Sequence, residues 1–178
     1  MASKSGLPSR PQVSHDAGVE ISVLVSDWEG HRLLDSGDGF KLEEIGGVRM
    51  IRSEPKAWWS KSLPPAEWAR AVAEHEEGGR EGRWKLKGNC PKEWETRLGK
   101  LRFQLRFMDN SKQFGVFAEQ SPHWKWVASR PQKLEPRPRL LNLFGYTGAA
   151  SLGAAQAGWH VTHVDASKPA VAWGRRNQ

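Results

Sequence analysis

A chain of 178 residues, 38% of them hydrophobic, is long enough to bury one sizeable core or two small ones. Its single cysteine, Cys90, excludes a disulfide framework and suits a reducing compartment. No apolar run approaches the roughly 18 residues of a membrane span, and the first residues lack the apolar core of a secretory signal, so a cytoplasmic protein with no membrane partner is expected.

Residues 1–18, "MASKSGLPSRPQVSHDAG", read as a disordered lead-in. Residues 19–139 then look like a mainly β, α+β region. "EISVLVSDW" and "HRLLDSGDGFKLEEIGGVRMIRSEP" divide into short strands, with "SGDG" as turn chemistry. Gly46 and Gly47 offer a hairpin turn between "FKLEEI" and "VRMIRS". "LPPAEWARAVAEHEEG" predicts a helix that opens on Pro64 or Pro65, faces inward through Trp68, Ala71 and Val72, and stops at Gly78. Its outer face would carry Glu67, Glu74, Glu76 and Glu77.

From Gly79 to Gly99 the sequence reads as a basic loop. In "KLRFQLRF", Leu101, Phe103, Leu105 and Phe107 alternate with polar residues, the period of a half-buried strand. "KQFGVFAEQ" is expected to pair with it through a turn at "MDNS", "HWKWVASRPQ" to begin a helix, and "KLEPRPR" to mark a domain boundary.

Charge sharpens that division. Residues 1–79 hold 9 Lys and Arg against 13 Asp and Glu, residues 80–139 hold 15 against 6, and residues 140–178 hold 3 against 1, within a net charge of +7. Trp84, Trp94, Trp124 and Trp126 sit inside the basic block. Such a block attracts phosphates, and exposed aromatics can stack on bases. The plainer reading is a solvated face over core tryptophans, and both stay open at this point.

"LLNLFGYTGAASLGAAQAGWHVTHVDAS", Leu140 to Ser167, carries the strongest functional signal. Leu140, Leu141, Leu143 and Phe144 form an apolar run expected of a parallel strand covered on both faces. Gly145 and Gly148 permit unusual dihedrals and close approach of a ligand. An Ala-rich helix stopped by Gly158 follows, and then "HVTHVD" as a second strand. Asp165 at its end stands where ribose hydroxyls lie in nucleotide-binding folds. The turn lacks the three glycines of a dinucleotide fingerprint. Bulky Tyr146 suits a cofactor without phosphates, such as S-adenosylmethionine, with Asn142 as a polar anchor for its methionine end.

These blocks, with "FGVFAEQSPHWKW" and "LLDSGDGFKLEEIGGVRMIRSEPKAWW" upstream, resemble the class I S-adenosylmethionine-dependent methyltransferases related to the large-subunit ribosomal RNA methyltransferase I family. The resemblance runs from about Asp27 onward. It implies cofactor contacts from Asn142, Phe144, Gly145, Tyr146, Thr147 and Gly148, with Phe144 and Tyr146 standing where many class I enzymes place glycines. It also implies a ribose contact from Asp165, adenine neighbours Ala166 and Ser167, and further donor-pocket residues Phe117 and Gln120. The partner it implies is RNA, met by the basic block 80–139.

The Asp-Pro-Pro-type motif and the downstream cysteine of some such enzymes are not found, and Cys90 lies outside the resembled catalytic segment. No catalytic residue is therefore assigned. The six histidines show no metal-ligand spacing with Cys90, and no metal is expected. The expected architecture is an α+β region followed by the first β-α-β unit of a truncated Rossmann-like domain, residues 140–178, so the chain reads as the N-terminal portion of a longer enzyme. Two other readings remain: a nicotinamide-dependent oxidoreductase, and a non-catalytic RNA-binding remnant.

Overall fold

The computed structural model describes residues 26, 28–77, 82–109, 111–130 and 136–178. The lead-in, the "EISVLV" strand and residues 133–135 of the Pro-rich connector fall outside the described residues. Strands β1 (His31–Gly37), β2 (Phe40–Ile45) and β3 (Val48–Ser53) form the expected meander. Gly46 and Gly47, at φ 55° and 78°, close the β2–β3 hairpin between Ile45 and Val48. Positive φ at both central positions is what the twist of a tight hairpin demands.

The helix expected from Leu63 to Glu77 is cut short. Helix α1 spans only Pro65–Ala69, and Ala73–Glu76 is a strand, β4. β4 lies parallel to β3 and antiparallel to β5 (Arg83–Leu86), completing a sheet ordered β1-β2-β3-β4-β5. Ala and Glu favour a helix by only about half a kcal/mol per residue, less than is gained by pairing Ala73 and Glu74 on both sides and His75 and Glu76 with β5. Alternate burial of Ala73 and His75, 2% and 4% exposed, was the strand signal in this stretch.

The basic segment is not a loop either. β6 (Glu93–Leu98) pairs antiparallel with β7 (Leu101–Arg106) around a two-residue Gly99–Lys100 turn. β6, rather than "KQFGVFAEQ", is thus the ladder partner of β7. The latter segment contributes two bonds, with Phe114 and Gln113 carbonyls accepting from the Arg106 and Met108 amides. It then breaks at Gly115, φ 117°, where a Cβ would fall 2.5 Å from the Trp173 ring. A one-turn 3-10 helix at Ala118–Gln120 leads into helix α2, Ser121–Ala128.

Beyond Pro138 the chain forms β8 (Arg139–Leu143), α3 (Ala149–Gln156), β9 (His160–Val164) and α4 (Lys168–Asn177). β8 and β9 pair in parallel from Arg139–His160 to Leu143–Val164. The molecule is therefore mixed α/β with a β-rich N-terminal region. One core cluster runs from Ile45, Val48 and Met50 through Phe103, Phe114 and Trp124 to Ala149, joining the N-terminal strands to α3. The β8–β9 pair is covered on one face only among the described residues: Leu141, Leu143 and Val164 are 61%, 54% and 44% exposed. The two-sided cover expected for this strand is not supplied by α3 and α4. No described helix is long and apolar enough to cross a membrane.

Of the four tryptophans in the basic block, Trp124 is buried and Trp84 and Trp94 pack on Phe107 at 4.5 and 4.7 Å between ring centroids. Only Trp126 is exposed, stacked under the Arg130 guanidinium at 4.5 Å.

Candidate functional site

The site is built on the turn between β8 and α3. Three of its residues adopt left-handed backbone: Phe144 at φ 56°, Tyr146 at φ 51° and Gly148 at φ 88°. A non-glycine residue there costs roughly 1 kcal/mol. The glycine pattern that looks eroded at Phe144 and Tyr146 is thus preserved in backbone shape. Gly145, by contrast, does not need positive φ. It is required for space, because a Cβ would lie 2.3 Å from Cε1 of His163.

The turn is pinned from several sides. The Gly145 amide donates to the Val164 carbonyl at 3.0 Å, and Gly148 to Gly145 at 3.0 Å. The Thr147 hydroxyl donates to the Gly115 carbonyl, and the buried residue holds the turn at the lining of the adjoining cleft. Asn177 of α4 donates to the Thr147 carbonyl at 3.0 Å and accepts from the Gln104 amide at 2.9 Å.

Asp165 ends β9 as expected. Its Oδ2 accepts from the Tyr146 amide and its Oδ1 from the Ser167 amide, both at 2.8 Å. Those amides, Ser167's first and then Tyr146's, hold the carboxyl below its ordinary range, so it is ionised at neutral pH and keeps further lone pairs for hydroxyl donors. Ala166 is exposed. Ser167 caps α4, accepting from the Ala170 amide at 3.3 Å.

Beside the turn lies a cleft of about 500 Å³, lined by Phe117, Glu119, Gln120, Asn142, Phe144 and Tyr146 among others. Phe117 and Gln120, distant in sequence from the turn, are thus brought to it. The Phe117 and Tyr146 rings meet at 5.1 Å, and burial pushes the Tyr146 phenol up from its ordinary value. Its hydroxyl donates to Met108 Sδ at 3.1 Å. Phe144 is 88% exposed at the mouth. The cleft can house a flat apolar group against the aromatic pair, with a carboxylate one hydrogen bond from Tyr146 to receive hydroxyls. Among the described residues no cluster of His, Cys, Asp or Glu could hold a metal ion.

Two residues that sequence reasoning missed sit behind the turn. Asn142 Nδ2 donates to Ser151 Oγ at 2.8 Å, and Ser151 Oγ lies 2.9 Å from His163 Nδ1. His163 Nε2 is buried with no hydrogen-bond partner among the described residues. Metal-ligand spacing does not single out His163, whereas the two-residue period of β9 places it beside Val161 on the inward face.

No family model matches the chain. A crystal structure of the S-adenosylmethionine-dependent methyltransferase from Agrobacterium tumefaciens superposes with a TM-score of 0.81 at 41% identity, covering 86% of this chain. The chain is a relative of the S-adenosylmethionine-dependent methyltransferases. It spans about half of that relative, 49% of its length. A second methyltransferase structure, from Streptococcus mutans and only provisionally assigned to the class, shares the fold at a TM-score of 0.60 and 17% identity, over 83% of this chain and 42% of its own. Among curated sequences, the ribosomal RNA large subunit methyltransferase K/L of Hahella chejuensis is 42% identical over 64 residues, 35% of this chain and 8% of that protein.

Proposed function

We propose that this chain carries the cofactor-binding site of an S-adenosylmethionine-dependent methyltransferase acting on a base of RNA, with ribosomal RNA as the substrate class. The observation that carries the reading is the carboxylate of Asp165, fixed by the Tyr146 and Ser167 amides beside the Phe117–Tyr146 cleft. In that reading Asp165 accepts from the ribose hydroxyls, while Tyr146 and Phe117 flank the ligand. Asn142 and Gln120 face its polar end, Phe144, Gly145 and Gly148 shape the entry, and Ala166 and Ser167 border the adenine. Bound there, the cofactor supplies an electrophilic sulfonium methyl group; the chain's own residues hold and orient it. The methyltransferase relatives favour this sulfonium cofactor over a nicotinamide dinucleotide.

Residues 140–178 form the cofactor unit in this reading, as the first β-α-β unit of a Rossmann-like domain, and residues 19–139 the substrate-facing region. RNA as partner is supported by the Hahella chejuensis relative's name and by the basic block, whose Arg83, Lys87, Lys92, Arg97, Lys100 and Arg102 are all exposed. Binding through phosphates would weaken steeply with salt.

Calorimetric titration of S-adenosylmethionine into the chain tests the cofactor. Binding to the wild type, weakened at least about tenfold by Asp165→Ala through loss of charge-assisted hydrogen bonds, is expected. Equal affinity of the two proteins would remove Asp165 from the site, and no binding by either would remove the cofactor.

A further inference from the structure

The relay behind the turn has an internal logic of donors and acceptors. Ser151 Oγ carries one proton and already accepts from Asn142 Nδ2 at 2.8 Å. Where its proton goes to His163 Nδ1, 2.9 Å away, the ring proton sits on the buried Nε2; with the ring proton on Nδ1, Oγ would accept from both neighbours. The ring cannot swing away, since it is pressed against the backbone of Gly145, with room for no Cβ there. In the Nε2-protonated arrangement Ser151 Oγ has only an acceptor to offer Asn142, which matches Nδ2 pointing inward. The amide Oδ1 is the polar atom left for the cleft that Asn142 lines.

We infer that Ser151 and His163 are positioning residues that lock the Asn142 amide with its oxygen presented to the cleft, so that this end of the site selects a ligand bearing a cationic N–H donor. This rests on the cofactor reading above, in which that donor is the primary ammonium of the cofactor's amino-acid end. Were the amide free to turn over, it would offer donors and an acceptor alike, and an ammonium would lose its preference over a neutral terminus.

The test compares two ligands on one protein. S-adenosylhomocysteine carries the ammonium; 5′-methylthioadenosine has the same adenosyl group and lacks the amino-acid end. Ser151→Ala is expected to weaken S-adenosylhomocysteine about tenfold, the scale of one hydrogen bond to a charged group, while methylthioadenosine changes less than about twofold. His163→Asn, whose Oδ1 can accept from Ser151, should retain most of that discrimination, and His163→Leu should lose it. Independently of any ligand, ring-nitrogen NMR of the free chain should show His163 protonated at Nε2, with a Nδ1 shift that moves in Ser151→Ala. Equal weakening of both ligands by Ser151→Ala, or a ring protonated at Nδ1, overturns the positioning role while leaving the cofactor reading intact. A wild-type chain that binds neither ligand overturns both.

Discussion

The N-terminal strands and the β8–α3–β9–α4 unit reach stability by opposite means. The first region buries large apolar side chains such as Leu42, Ile45, Met50 and Phe103, and with them a charged pair, Glu43 and Arg52. The second buries mostly small residues: Ala149, Ser151, Ala154, Ala170 and Thr147, with Trp173 as its one large fully buried side chain. Small residues let helix and strand approach closely, but each removes little apolar surface from water. The lesson is that the β8–α3 turn is pinned mainly by hydrogen bonds and close approach of small residues, with Trp173 as the one large side chain its unit buries. Trp173 donates to the Gln104 carbonyl at 2.8 Å and lies under the Arg106 guanidinium at 4.5 Å.

The sharpest way to break this contrast is Trp173→Ala. Loss of a buried Trp is expected to cost about 3–5 kcal/mol, falling on the second region. Hydrogen exchange should show β8 and β9 amides losing protection while β2 and β3 keep theirs. If both regions lose protection together, the two share one cooperative unit and the comparison fails.

Acid should act on the other region. Burial alone would raise the Glu43 carboxyl, but the His31 hydrogen bond, the Arg52 charge and hydrogen bond and the Lys41 charge bring it down to about 2 from an ordinary 4.5. The stability this contributes, of order 3 kcal/mol, is fully present above pH 4.5 and is lost as pH falls toward 2. Denaturant midpoints at pH 7, 4 and 3, read on β2–β3 protection, should fall in that order. Glu43→Gln should flatten the dependence, although the uncompensated Arg52 would destabilise that variant throughout.

The smallest effect concerns the turn. Phe144 is exposed and held at φ 56°, so Phe144→Gly relieves backbone strain and gives up little packing. Stability should change by less than about 1 kcal/mol and in the favourable direction. A marked drop in melting temperature would mean that the ring contributes contacts its exposure does not suggest.

Legibility in the sequence follows the same divide. The β8 to β9 order, the Gly158 stop and the place of Asp165 were readable, because small residues, turn residues and a strand-ending acid coincide within 28 residues. The Gly46–Gly47 hairpin and the β7 alternation were equally plain. What failed were the stretches where pairing partners lie far off in sequence. Ala73–Glu76 became a strand through β3 and β5, and "KQFGVFAEQ" lost its ladder to a residue 58 positions on, Trp173 at Gly115. At the site, Phe117 and Gln120 came from resemblance alone. Ser151 and His163 were hidden because their roles arise from each other. Gly145 was read for its dihedral freedom, when its service is to leave room for an imidazole.

The ties from α4 to β7 also set an order of events in folding. The β1–β3 meander and the β6–β7 hairpin close short loops, whereas Trp173 and Asn177 meet Gln104 across 69 and 73 residues. Contacts at such separation pay loop-closure entropy before any burial repays it. Loop-closure entropy thus favours an order in which the hairpins assemble first and α4 seats last, with the Thr147 carbonyl paired to Asn177 only then. In that order the turn that would grip a cofactor completes its hydrogen bonds only at the closing step.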